Sequence, residues 1–284
     1  MESNKDTLLS LEKTQITKEA FAAVDSQTIP KRGKGHGEDF SLVNSNRNLA
    51  IITDGMGGPE DAHKASERVA QLIEEALRNI GPLSSPEEIV KCQEHGFTIA
   101  NQQIKSEFPN TGTTATAISL WSKENQKIGV ITWAGDSRVY LIRHGHIERL
   151  TEDQDGVTKK ILETDIHWVL DETERITTYD ELKKASSLAR EVLAGRAMKI
   201  QPSHIGDYFG KGEDLFTLRS RIILLAPSDK VLLVTDGISD NLTPKEILDN
   251  SKNSLLLASA AEKRSEEEGF RSTPDDATAL ILTV

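Results

Sequence analysis

The chain has 284 residues, 37% of them hydrophobic, and a formal net charge of -11 at pH 7. That composition leaves enough apolar side chains for a core. The negative balance argues against nucleic acid or an anionic membrane as the main partner, because the average field repels phosphate groups. Cys92 is the only cysteine, which excludes an intramolecular disulfide and a cysteine-based zinc site.

Residues 1–20 are polar throughout and lack the apolar centre of a signal peptide. No apolar run is long enough to span a bilayer, so the expectation is a cytoplasmic protein. Short apolar runs at 21–24, 40–43 and 49–53 predict strands separated by Gly- and Asn-rich turns. A helix follows over 60–79, with Ala65, Val69, Leu72, Ile73 and Ala76 at helical spacing. A second opens at Ser85-Pro-Glu-Glu88, where Ser85 caps, Pro86 takes the first helical position and Glu88 completes a capping box; it ends near Phe108. Strands are expected at 113–121, 128–133 and 138–142, the last turning through Arg143-His-Gly145.

The stretch 154–216 differs in texture. It reads as a helical insertion or lid, with one amphipathic helix over 178–194 opened by a Thr178-x-x-Glu181 box. Strands return at 221–226 and 230–235, a helix starts at Thr243-Pro-Lys-Glu246, and 277–284 closes the chain as a strand. The charged run 262–268 reads as a solvated helix face. Elements come in blocks rather than strict alternation, which favours an antiparallel α+β domain over residues 21–284, behind a polar segment 1–20.

One pattern recurs. Apolar strands run into an aspartate followed by glycine or another turn residue: Thr53-Asp54-Gly55, Gly135-Asp136-Ser137 and Thr235-Asp236-Gly237. Acidic pairs Glu38-Asp39 and Asp275-Asp276 precede two further strands. A strand end holds a carboxylate rigidly while leaving it accessible. Several such ends at one sheet edge would give the all-oxygen cage that Mg2+ and Mn2+ require. Taken singly, each Asp-Gly pair also reads as an ordinary turn.

Asp54-Gly-Met-Gly-Gly58, Gly112-Thr-Thr-Ala115, Gly135-Asp-Ser-Arg138, Leu150-Thr-Glu-Asp153, Asp236-Gly-Ile-Ser-Asp240 and Asp275-Asp-Ala-Thr278 resemble, in order and spacing, the metal-dependent protein phosphatases of the 2C type. The resemblance spans residues 21–284 and is closest to bacterial members. It implies two antiparallel sheets forming a central sandwich with helices on both outer faces, in four layers. It also implies two divalent cations, Mn2+ or Mg2+, at one end. On that pattern Asp54 bridges both ions, Asp236 and Asp275 hold one, and Glu38 with the Gly55 carbonyl faces the other. Asp39 hydrogen-bonds a metal-bound water, and Asp136 and Asp240 match positions of a third, weaker ion. The implied reaction is attack of a metal-bridging hydroxide on phosphoserine or phosphothreonine of a phosphoprotein.

The resemblance also implies a cationic phosphate clamp four residues before Glu38. That position holds Lys34, with Arg32 nearby, where the family has arginine. Met56 stands where many eukaryotic members carry a histidine. His63 reads as a surface residue, His144 and His146 as a hairpin, and Ser137 as no nucleophile, since Arg138-Val139 replaces the glycine of a nucleophile elbow. Two other readings stay open: a catalytically weak regulatory or binding module of the same fold, and a phosphatase acting on small phosphometabolites.

Overall fold

Period-two alternation in the strands sorts their side chains into two sets, and the fold buries both. The computed structural model describes residues 21–31, 37–57, 59–78, 85–123, 125–154, 168–197, 209–210, 217–267 and 269–284. In chain order the strands are β1 (Ala23–Ile29), β2 (Asp39–Asn44), β3 (Leu49–Met56), β4 (Gly112–Thr113), β5 (Ala115–Lys123) and β6 (Gln126–Ala134). They continue with β7 (Arg138–Arg143), β8 (His146–Arg149), β9 (Arg219–Leu225), β10 (Lys230–Val234) and β11 (Ala277–Thr283). The helices are α1 (Pro59–Arg78), α2 (Pro86–Glu107), α3 (Trp168–Arg175), α4 (Tyr179–Lys184), α5 (Ser187–Ala197), α6 (Asp236–Ser239), α7 (Pro244–Asn250) and α8 (Ser254–Ser265).

One sheet has the order β1-β11-β10-β7-β8 and the other β2-β3-β5-β6-β9, with β4 added to β3. The pairings within both sheets are antiparallel. Ala50 and Ile52 of β3, Ile118 and Leu120 of β5, Val231 and Leu233 of β10, and Leu280 and Leu282 of β11 meet between the sheets. The alternate residues face outward. Leu49, Ile51, Ala115 and Ala117 pack under Val69 and Ile73 of α1 and Phe97 and Ile104 of α2. Tyr140, Leu232, Val234 and Ile281 pack under Ile247 of α7 and Leu257 and Ala258 of α8. The result is the expected sandwich of helices, sheet, sheet and helices, each interface built from one face of a strand pattern.

Local signals account for the helix starts. Ser85 accepts from Glu88 N at 3.3 Å and Pro86 opens α2. Thr243 and Glu246 form a complete capping box around Pro244, with Thr243 N donating to Glu246 Oε2 at 2.8 Å. Thr243→Ala should therefore cost about 1 kcal/mol, read as a melting temperature about 2–4 °C lower.

Several expectations need correction. Asp54-Gly55 does not end β3, which continues to Met56 by pairing Gly55 with Thr113; the chain turns at Gly57 (φ 117). Asp236-Gly237 begins the short helix α6 rather than a plain turn. The single helix expected over 178–194 is two helices, α4 and α5. Ala185 is extended (ψ 158), and the Ser186 hydroxyl accepts from Ala189 N at 3.1 Å while it donates to Glu172 at 2.6 Å. A capping serine pinned from α3 thus breaks the helix. The Thr178–Glu181 box is present at the start of α4. The first strand is displaced to Ala23–Ile29, and β8 and α3 were not anticipated. Val169, Ile176, Ala189, Val192 and Leu193 give α3 to α5 a small core of their own. The remainder of 154–216, apart from residues 209–210, lies outside the described residues.

Candidate metal centre

Asp39 opens β2 and lies directly opposite Asp54 of β3 in the antiparallel register. Asp54 is held on its other side by residues 113 and 114: its carbonyl accepts from Thr114 N and Thr113 Oγ1, both at 2.8 Å, and its N–H donates to Thr114 Oγ1 at 3.2 Å. Gly55 is required because a Cβ there would lie 2.3 Å from the Ala62 carbonyl, so only glycine lets β3 pass under α1.

The other sheet contributes from β10 and β11. Thr235 follows β10 at the N-cap position of α6, where its side chain makes no capping bond, and α6 begins with Asp236. A Cβ on Gly237 would come within 1.9 Å of the Asp276 carbonyl, so glycine lets α6 press against the entry to β11, which carries Asp275. One hydroxyl ties the two sheets together here. Thr235 Oγ1 accepts from Thr278 N at 3.1 Å and donates to Asp39 Oδ2 at 2.8 Å.

These positions crowd negative charge. Burial holds the Asp54 carboxyl well above the usual carboxylate range, and the charges of Asp39, Asp236, Asp275 and Asp136 push it further. Asp39 is also raised, first by burial, against the opposing hydrogen bonds of Thr278 and Thr235; Asp276 and Asp236 add to the rise. Asp39 Oδ1 is buried with no hydrogen-bond partner among the described residues. A hard divalent cation suits this donor set, since it supplies the positive charge the oxygens lack. Among the described residues no three carboxylate, histidine or cysteine side chains already converge in a geometry that would hold an ion. The backbone brings the carboxylates together, and their side chains remain apart.

Of the other residues singled out, Glu38 stands at the entry to β2. Its carbonyl accepts from Gly55 N at 3.2 Å and Ser66 Oγ at 2.6 Å, and its N–H donates to Asp276 Oδ2. Asp136 follows Gly135 (φ 109), where a Cβ would strike the Thr114 side chain. Asp240 ends α6, and its charge acts on Arg138. Lys34 and Arg32 lie outside the described residues. Ser137 is buried and shares a 2.9 Å hydrogen bond with Thr114. His144 and His146 are exposed, with Gly145 between them at the β7–β8 hairpin. His63 is half-buried on α1.

Sequence reasoning gave no separate role to four contributors. Asp276 is buried, and its carboxylate accepts from the N–H groups of both Lys31 and Glu38. Thr235 fixes Asp39; its only sequence signal is the repeated Thr-Asp-Gly. Arg138 and Asp153, each within a quoted motif, form a buried bidentate pair at 2.9 and 2.7 Å behind the Asp136 loop.

Carboxylates drawn from both sheets of the four-layer sandwich gather at its seam, a donor set that suits divalent cations. The family model of protein phosphatase 2C matches residues 35–268. The serine/threonine phosphatase stp of Listeria welshimeri is 27% identical over 261 residues, which cover 88% of this chain and 91% of that protein. The solved structure of the Mycobacterium tuberculosis serine/threonine phosphatase PstP/Ppp has a TM-score of 0.65 at 21% identity, covering 92% of this chain and 98% of that one. A catalytic domain of PstP in complex with two manganese ions has a TM-score of 0.60 at 23% identity, over 92% and 97%. The chain belongs to the protein phosphatase 2C family and is a metal-dependent phosphoprotein phosphatase. Among the described residues no helix is long and apolar enough to cross a membrane.

Proposed function

We propose that the chain removes phosphate from phosphoserine and phosphothreonine in cytoplasmic proteins, using two Mn2+ or Mg2+ ions held by Glu38, Asp54, the Gly55 carbonyl, Asp236 and Asp275. The observation that carries this reading is the crowding of Asp54 by four other carboxylates drawn from both sheets. When bound, the ions lower the pKa of water so that a nucleophile is available near neutral pH, and they offset charge developing on the phosphoryl oxygens. Asp39 orients that water: Thr235 fixes one carboxylate oxygen and leaves the other, Oδ1, to accept. Asp136 serves a third ion, because its charge acts on the same cluster. The charge of Asp240 acts on Arg138, so its share in that third site is the smaller. Lys34 and Arg32 bind substrate phosphate from the segment whose flanks Asp276 holds. Residues 21–284 form the catalytic unit, with 154–216 as a helical insertion.

Purified protein should hydrolyse p-nitrophenyl phosphate and phosphothreonine peptides with Mn2+, lose turnover in EDTA and regain it when Mn2+ is restored. Turnover that persists after exhaustive chelation would overturn the metal assignment. Preference for phosphotyrosine peptides would overturn the substrate class.

A further inference from the structure

A polar cavity of about 440 Å3 opens at the β6–β9 side of the sandwich, walled by Trp133, Arg149, Glu152, Arg219 and Arg221 among others. Three guanidinium groups share this wall with one carboxylate, in a chain whose net charge is -11. Arg149 is committed to the fold through Asp153, Glu174 at 2.9 Å and the Thr151 carbonyl at 2.7 Å. The other two are held lightly. Arg219 pairs with Glu152 at 3.1 Å, and Arg221 with Glu148 at 3.4 Å and the Leu150 carbonyl at 3.1 Å; their side chains are 47% and 45% exposed. Ion pairs of that exposure are weak, and a guanidinium offers five N–H donors, so both arginines retain capacity for another anion.

The cavity is placed to meet substrate. Arg219 lies opposite Trp133 in the β6–β9 register, and Trp133 stands three residues before Asp136, a member of the carboxylate cluster. Three residues of chain span at most about 10 Å, and fewer ångströms through the turn at Gly135, a distance that an extended peptide covers in about three residues. We propose that Arg219 and Arg221 form an anion subsite for a second negative group on the phosphoprotein, a phosphorylated or carboxylate side chain about three residues from the phosphoester being cleaved. The inference rests on the phosphatase reading and adds to it a determinant of which phosphoproteins are preferred.

The test compares phosphothreonine peptides carrying phosphoserine, glutamate or alanine three residues away, on either side. With the wild-type protein and Mn2+, kcat/KM for the phosphoserine peptide should exceed that for the alanine peptide by about tenfold, through KM, with the glutamate peptide between them. In the double variant Arg219→Gln, Arg221→Gln the ratio should fall to about one. Lys252→Gln, an exposed site that changes net charge by one unit in the same direction, should keep the wild-type ratio. Equal rates on all three peptides with wild type, or an unchanged ratio in the double variant, would overturn the subsite. If p-nitrophenyl phosphate is not turned over either, the phosphatase reading fails separately. Fluorescence anisotropy with the doubly phosphorylated peptide then still decides the subsite, since the double variant must bind it more weakly.

Discussion

Asparagine at position 54 should abolish Mn2+-dependent phosphatase activity and, in the same protein, raise the melting temperature measured in EDTA. The two effects have one cause. The charges of Asp39, Asp236, Asp275 and Asp136 all act on Asp54, and burial removes the water that would screen their repulsion. Without a cation its negative charge opposes folding, so an amide of the same size relieves the protein. With cations the same charge would help to hold them. Loss of that ligand would remove several kcal/mol of transition-state stabilisation, or about a thousandfold or more in turnover. Steady-state kinetics with p-nitrophenyl phosphate and thermal melts with and without metal read both effects. An inactive variant that melts lower than wild type in EDTA would show Asp54 to be a structural residue rather than a strained ligand.

Asp153→Ala should give the largest loss of stability. Arg138 and Asp153 are 3% and 4% exposed, and the guanidinium grips both carboxylate oxygens. Removing the carboxylate leaves a buried cation supported by the Ser239 carbonyl at 3.4 Å, while Arg149 also loses a partner. Breaking a buried pair from one side costs about 3–5 kcal/mol. Urea denaturation of the metal-free protein measures it directly. A cost below about 1 kcal/mol would place the pair in the class of solvated ion pairs. The neighbouring Gln154 accepts from Gly135 N at 2.7 Å, so loosening this segment also loosens the loop that carries Asp136.

The strands were legible as short apolar runs bounded by turns, but the unbroken run Leu49-Ala50-Ile51-Ile52 does not show which residue faces which core; element order gave an antiparallel α+β domain, and the sandwich followed from the resemblance. Helix starts were legible at Ser85, Thr178 and Thr243 because capping depends on residues within one turn. The break at Ala185 was not, since Glu172, which holds Ser186, comes from another helix. Nor was the continuation of β3 through Gly55, where the need for glycine arises from the Ala62 carbonyl of α1. In the site, the carboxylates stood out as acidic residues at strand ends. The groups that orient them, Thr235 and Asp276, act across about 200 residues or more of chain, so the repeated Thr-Asp-Gly and the acidic pair that contain them do not show which residue each one holds.

The Thr235 hydroxyl has one hydrogen to give. Because its oxygen already receives the Thr278 amide, that hydrogen is committed to Asp39 Oδ2. Hydrogen bonding therefore engages one edge of the Asp39 carboxylate and leaves Oδ1 as its open edge among the described residues, in a direction set by the backbone of the opposite sheet.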